Sequence, residues 1–306
     1  MPKNSFLVIG QGSIGQRHAR LLQKHGEVST VSSVADYSFR SISEAVRGRH
    51  YTHAVVANMT SHHARTAFDL AQCGFTGHVL LEKPACSNVH EISQLVESSR
   101  AFAGVSVGYN LRFHPVIQAL RRCLQGKKVI EARLSVGQLL SEWRPGSDYR
   151  NGSSANRLAG GGALRDLSHE LDLALSIFGP WKRLVALGGN FQRLDIETDE
   201  AWSIIMETEK CPMVSICMNY FDQPGNRSIR ATTDDTSIIA DLSEGRITSS
   251  SLSEDFVVKR DDTYQLLHQD FIEQQGQSCT LTDGIAVVRL MDAIEKSNSQ
   301  RNWIEA

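Results

Sequence analysis

Near the start of the chain, Val8-Ile9-Gly10-Gln11-Gly12-Ser13-Ile14-Gly15 joins the apolar run Phe6–Gly10 to a helical stripe of Ile14, His18, Leu21, Leu22 and His25. A strand that passes through three spaced glycines straight into a helix can do so in few ways. Gly10 permits the tight turn, Gly12 lets the backbone approach a pyrophosphate, and Gly15 lets helix and strand pack closely. The helix start offers free N–H groups and a partial positive charge to anionic groups. The spacing therefore predicts a dinucleotide-phosphate turn built from Gly10, Gly12, Ser13, Ile14 and Gly15.

The next hundred residues repeat the same grammar. Val28–Ser32, His53–Asn58, His78–Glu82 and Gly104–Asn110 read as short strands. Between most of them lie helical stripes, such as Ala64, Ala67, Phe68 and Ala71. Asn88-Val89-His90-Glu91 is a capping box ahead of Ile92, Leu95 and Val96. The weakest element lies between Ala35 and Arg49, where Ser41–Glu44 suggests a short helix. Alternation of this kind predicts a doubly wound (Rossmann) parallel sheet with helices on both faces.

After Pro115 the pattern changes. A helix carrying Val116, Ile117, Leu120 and Leu124 stops at Gly126, and residues 130–136 alternate as a strand with one buried face. The polar stretch Gly137–Gly161 has little periodicity and is long for a loop, which marks a functional segment or a lid. One helix is expected over Ala163–Phe178, stopped by Gly179-Pro180. Strand-like runs then follow at 201–208, 213–221, 228–233, 237–242 and 256–259, with helices near 264–275 and 284–297. Short connections between successive strands predict an open, mainly antiparallel sheet. With 306 residues, this gives two domains: a dinucleotide-binding domain over 1–112 and an α+β domain over 113–306 for substrate binding and oligomerisation.

Composition removes several classes. The 32 Lys and Arg nearly balance 34 Asp and Glu, for a net charge of −2, and no half is a basic block. That argues against a nucleic-acid surface or a polybasic membrane patch. Apolar runs such as His78–Leu81 are far too short to span a bilayer, and Phe6–Gly10 is too short for a signal-peptide core, so a cytoplasmic location is expected. Cys73, Cys86, Cys123, Cys211, Cys217 and Cys279 form no CxxC pair and read as reduced thiols. His62 and His63 are adjacent and no HxxxH or HxH pair occurs, so no structural metal is expected.

Three further stretches carry chemistry. At the end of the second strand an acidic residue ordinarily holds the adenosine ribose. Ser32 and Ser33 stand there instead, with Asp36 later and Arg40 just beyond. Hydroxyls and a guanidinium tolerate a 2′-phosphate, so NADP is slightly favoured over NAD. Glu82-Lys83-Pro84 closes the fourth strand, and in doubly wound sheets ligands sit outside the carboxyl ends of the strands. Finally, Gly160-Gly161-Gly162 precedes Asp166, His169 and Asp172, which recur every three residues and drift slowly round one helix face.

The order GxGxxG, EKP, then GGG followed by Asp, His and Asp resembles the Gfo/Idh/MocA oxidoreductases along nearly the whole chain. Ala57-Asn58-Met59-Thr60-Ser61-His62-His63 is similar to the family's segment after the strand, with Met59 where Pro is usual. Gly108–Pro115 resembles its entry into the second domain. Trp143–Arg150 and Leu167–Asp172 look like a branch associated with surface-polysaccharide and nonulosonic-acid sugar pathways. The family commonly spaces its Asp and His by four residues; here Asp166 and His169 are three apart.

The resemblance implies hydride transfer between a nicotinamide and a secondary alcohol or keto carbon of a sugar, sugar acid, nucleotide sugar or polyol. Lys83 would stabilise the developing alkoxide and His169 would move the proton, with Asp166 or Asp172 orienting it. By the same carry-over Asn58, Thr60, His63, Asn110, Trp143 and Arg144 line the nicotinamide end, and Glu82 and Lys83 count among the cofactor-binding residues. Tyr109, Arg112, Tyr149 and Arg150 are candidate substrate contacts, their basic members suited to an anionic sugar or nucleotide diphosphate. Two other readings use the same residues: a non-catalytic NAD(P)-binding sensor, and a glycoside hydrolase or lyase assisted by bound NAD. Apolar residues on both faces of strands such as Ile204–Met206 and Met213–Cys217 point to a homodimer or homotetramer through the C-terminal sheet.

Overall fold

The computed structural model describes residues 4–32, 37–143 and 146–306. In chain order its elements begin with β1 Ser5–Ile9, α1 Ser13–Leu22, β2 Glu27–Val31, α2 Ile42–Val46, β3 His53–Val56 and α3 His63–Gln72. They continue with β4 His78–Leu81, α4 Ile92–Ser99, β5 Gly104–Val107, α5 Pro115–Leu124, β6 Val129–Gly137, α6 Ala163–Asp166 and α7 His169–Phe178. Then come β7 Trp181–Gly189, β8 Ala201–Thr208, β9 Val214–Asn219, β10 Asn226–Thr233, β11 Ser237–Asp241, β12 Arg246–Thr248 and β13 Ser253–Asp255. The chain closes with α8 Asp262–Glu273, β14 Cys279–Thr280, α9 Leu281–Gln300 and β15 Ile304–Glu305.

Two compact units result, and the first takes residues 1–110 together with 263–288. Its sheet runs β14-β5-β4-β3-β1-β2. All neighbours are parallel except β14, which pairs antiparallel with β5. β1 is followed by β2 on one side, whereas β3 lies on the other, so the strand order reverses at β1. The central strands are covered on both faces: Phe6, Leu7, Val8, Ala54, Val55, Val56, Val79, Leu80 and Leu81 are all fully buried. That burial explains their continuous, non-alternating apolar runs. The return of 263–288 to this unit carries no sequence signal of its own. It is fixed by packing, because a Cβ on Gly284 would stand 2.6 Å from the Val107 side chain.

The second unit comprises 111–262 and 289–306. Its sheet runs β13-β12-β11-β10-β6-β9-β8-β7-β15, and only the β6–β9 pair is parallel. Along β8, Trp202, Ile204 and Met206 are buried while Ser203 and Ile205 are exposed, the alternation of a sheet covered on one face.

Two expectations need correction. The helix expected over Ala163–Phe178 is two helices, broken at Leu167 (φ −97°, ψ 20°) and Ser168. The short α6 is held from both ends. Leu164 N–H donates to the Asp199 carboxylate at 2.8 Å, and the Tyr220 hydroxyl donates to Asp166 at 2.7 Å. The chain redirects before α7, so Asp166 and His169 do not share one continuous helix face. The strand expected at 256–259 is also absent, since β13 ends at Asp255 and Phe256 N–H instead donates to the Gly245 carbonyl.

Candidate functional site

In the first unit, β1 ends and the chain turns at Gly10 with φ +99°. A Cβ there would lie 2.5 Å from the Asn58 nitrogen, so the ends of β1 and β3 are pressed backbone to backbone. A Cβ on Gly15 would stand 1.9 Å from the Gly10 carbonyl oxygen. Gly12 differs, because nothing lies within 4 Å of its Cβ position. It is the N-cap of α1, no side chain caps that helix, and its first turn holds no acidic residue. The first intrahelical bond runs from Gln16 to Gly12, so the N–H groups of Ser13, Ile14 and Gly15 precede it. Two glycines thus satisfy the chain's own packing and the third leaves space beside a bare helix start. That cradle fits a pyrophosphate.

The end of β2 is tied to the segment after it. Phe39 N–H donates to Thr30 and Ser32 N–H to Phe39, which places Arg40 beside Ser32. The Arg40 Nε donates to the Tyr37 hydroxyl at 2.6 Å, and its guanidinium lies 5.8 Å from that ring's centre. Ser33 and Asp36 lie outside the described residues.

The ends of β3 and β4 meet through His63. Its ring nitrogens face the Pro84 carbonyl at 3.0 Å and the Asn58 carbonyl at 3.2 Å. Burial lowers its pKa, against the opposing pull of those carbonyls and of Glu82 and Glu91. The neutral imidazole therefore donates to one carbonyl at a time. The Asn58 amide donates to Thr66 at 2.7 Å, and its buried oxygen has no partner among the described residues. Thr60 opens the one-turn helix that leads into α3. The Lys83–Pro84 bond is cis.

Glu82, before Lys83, is buried. Its carboxylate accepts from His18 Nε2 at 2.7 Å and from the Lys83 backbone N–H at 3.2 Å. His18 Nδ1 in turn faces His268 Nε2 at 2.6 Å. Burial alone would raise the Glu82 pKa, but His18, with help from Lys83, holds it below the usual carboxylate range. Sequence spacing assigns neither histidine to chemistry. His18 lay on the apolar stripe of α1, where it reads as core, and His268 comes from α8, far along the sequence. Asn110 donates to Thr263 at 2.7 Å, pinning the start of the same returning segment. Tyr109 is fully buried.

In the second unit, Asp172 and Arg112 close on each other. The guanidinium donates from Nε at 3.1 and 3.0 Å and from Nη2 at 2.6 Å, with the carboxylate almost wholly buried. Asp166 accepts from Tyr220, whose fully buried hydroxyl is pushed well above its ordinary pKa by burial and then by the Asp166 charge. Trp143 packs edge-on against the Tyr220 ring, with centres 5.2 Å apart. His169 opens α7 and is 9% exposed. Glu170, beside it, is buried against Arg227 at 2.9 Å. Arg150 is paired with Asp148 at 2.8 Å and Asp195 at 3.5 Å, and follows Tyr149 in a one-turn helix. Arg144 lies outside the described residues. Tyr220 and Asp199, which hold α6, carried no sequence signal beyond an apolar and a turn-like setting.

Known proteins agree with this architecture. Residues 117–248 match the GFO/IDH/MocA C-terminal domain. A protein of Amycolatopsis mediterranei (strain S699), named "Putative UDP-kanosamine synthase oxidoreductase subunit", is 30% identical over 191 residues, covering 56% of this chain and 51% of that protein. The match thus spans about half the length of that relative. Among solved structures, levoglucosan dehydrogenase in complex with NADH superposes with a TM-score of 0.84 at 14% identity, over 99% of this chain and 98% of that one. The WlbA dehydrogenase from Bordetella pertussis, in complex with NADH and UDP-GlcNAcA, gives 0.79 at 18% identity over 99% of both chains. The fold is that of these proteins, and the resemblance read from the motifs is met independently over residues 117–248.

Proposed function

We propose that the chain is an NAD(P)-dependent oxidoreductase of the Gfo/Idh/MocA kind, acting on a secondary alcohol or keto carbon of a sugar-like molecule. The observation that carries this is the contrast among the three glycines of the first turn. Only Gly12 has open space at its Cβ position, and it stands where an uncapped helix start meets the reversal of strand order. The N–H groups of Ser13 and Ile14 would hold the pyrophosphate there. When bound, the dinucleotide supplies the two-electron redox chemistry. The chain's own part is to stabilise charge on the reacting oxygen with Lys83 and to take up or return its proton with His169. Arg112 and Asp172 serve structure by locking α7 to the segment before α5, and Asp166 anchors Tyr220. The sugars named with similar proteins, among them levoglucosan and UDP-GlcNAcA, support a sugar or nucleotide sugar as substrate.

The test is a panel of sugars, sugar acids and nucleotide sugars followed at 340 nm with NAD and with NADP. A substrate-dependent absorbance change is expected; NADH binding with no redox turnover across the panel would overturn the reading. Gly12→Val should fold normally and weaken NADH binding by roughly tenfold or more, since its side chain enters the pyrophosphate space. Gly15→Ala should instead lose soluble, folded protein.

The preference between dinucleotides rests on Ser32, Ser33 and Arg40. A charged hydrogen bond to a 2′-phosphate is worth about 1.5–3 kcal/mol, so titration should show at least a roughly tenfold preference for NADP, erased by Arg40→Ala. Equal curves for the two dinucleotides remove it.

A homo-oligomer is proposed through the outer face of the second unit's sheet, where Leu187 is 70% and Ile205 50% exposed. Light scattering should report a dimer or tetramer at micromolar concentration, and a monomer mass would exclude it. Among the described residues no helix is long and apolar enough to cross a membrane.

A further inference from the structure

Behind Lys83 lies a chain of three buried polar groups that joins two distant parts of the first unit. His18 from α1 is fully buried and stands between Glu82 at the end of β4 and His268 from α8, which is also fully buried. The Tyr264 ring meets His18 edge-on, with centres 5.6 Å apart, and the Arg17 guanidinium lies over the Tyr264 ring, 5.0 Å from its centre. Opposite, Gly108 leaves room for the carboxylate, because a Cβ there would come within 3.0 Å of Glu82 Oε1.

The hydrogens in this chain can be assigned by elimination. An ionised Glu82 can only accept, so His18 must donate from Nε2. Burial holds the His268 pKa well below its ordinary value, so that ring is neutral, with one N–H to place. Its buried Nδ1 has no partner among the described residues. A hydrogen there would be a stranded donor, whereas a hydrogen on Nε2 donates to His18 Nδ1. Every donor then points one way, from His268 through His18 to Glu82, and the other Glu82 oxygen accepts the Lys83 backbone N–H. Such a chain strengthens each of its bonds.

We propose that His18, backed by His268, is a positioning residue for Lys83. It orients the Glu82 carboxylate, and that carboxylate fixes the main chain from which the Lys83 side chain projects. Lys83 itself enters through the proposed oxidoreductase reading, on which the kinetic part of this inference rests. The positioning part does not depend on it.

The substrate-free measurement is amide hydrogen exchange at Lys83 in the full chain. His18→Phe keeps a ring but removes both nitrogens, and should speed exchange of the Lys83 amide roughly tenfold while the amides of β1 keep their protection. His18→Gln retains an N–H donor at the position of Nε2 and should restore most of that protection. If His18→Phe fails to fold, Glu82→Gln, which keeps the side chain's shape and removes its charge, must produce the same local change. An unchanged Lys83 amide in the variant that folds overturns the proposal.

Kinetics with the fastest-turned-over sugar of the panel give the second readout. His18→Phe should lower kcat roughly tenfold or more with little change in NADH affinity, since a small misplacement of a catalytic group is expensive. In a Lys83→Ala background the same substitution should cost nothing more, a result that general loss of structure would not give. Additive losses would defeat the positioning role. A Lys83→Ala variant with full activity would instead defeat the part given to Lys83 in the proposed reaction, leaving the exchange experiment to decide the role of His18.

Discussion

Lys83→Ala and His169→Ala should each lower kcat by roughly 10²-fold or more. In the proposed reaction a hydroxyl must lose its proton while its carbon loses two electrons. Without Lys83 that oxygen loses the cation proposed to stabilise its charge, and without His169 it loses the proposed proton acceptor. NADH affinity should change little in both variants, because the turn from Gly10 to Gly15 is proposed to supply most of the dinucleotide contacts. The double variant should be little worse than either single one, as expected when two groups serve one event. Steady-state kinetics beside a fluorescence titration with NADH decide this. Unimpaired turnover in His169→Ala would reject the acid–base assignment and leave the fold untouched.

How much of this was legible in the chain depends on the range of the forces involved. The parallel sheet could be read because β1, β3 and β4 are buried on both faces and so carry unbroken apolar runs. The glycine turn could be read because Gly10 and Gly15 answer local demands, a positive φ and a close backbone approach. The break in the helix at Leu167 could not. It depends on Asp199 and Tyr220, which reach α6 from β8's approach and from the end of β9, and no window around residue 166 contains them.

The same limit hid the polar support of the candidate site. His18 has the spacing of a core residue, and it is one; what makes it chemical is Glu82, brought to 2.7 Å by the sheet. Arg112 looked like a free cation for an anionic sugar, yet its fork is engaged by Asp172 from a helix that begins far along the chain. Sequence spacing reports which residues share an element. It does not report which charges a fold sets opposite one another.

Acid should unfold both units, and the histidines explain why. Burial, with the His78 charge adding to it, pushes the His53 pKa down to about 4. Burial, with the Arg227 charge adding to it, pushes His114 down to about 4 as well. Both side chains are almost wholly buried. In the unfolded chain each titrates near the ordinary histidine value of about 6.5. Between those values the unfolded state binds a proton that the folded state refuses, so stability falls as pH drops from about 6.5 to about 4. At 1.36 kcal/mol per unit each group accounts for about 3 kcal/mol, one in each unit. That is large beside the roughly 5–15 kcal/mol by which a typical protein is stable. Below about pH 4 these two histidines are charged in both states and add no further loss. Glu82 has the opposite charge type but works in the same direction. Its pKa is held below the usual carboxylate value of 4.5, so its contribution is present above that value and is lost as pH falls through the lower folded one. Urea midpoints measured from pH 7 to pH 4.5 should therefore fall steeply, and His53→Leu should flatten the dependence for the first unit only. Midpoints that hold constant over that window would show that these rings accept protons in the folded state.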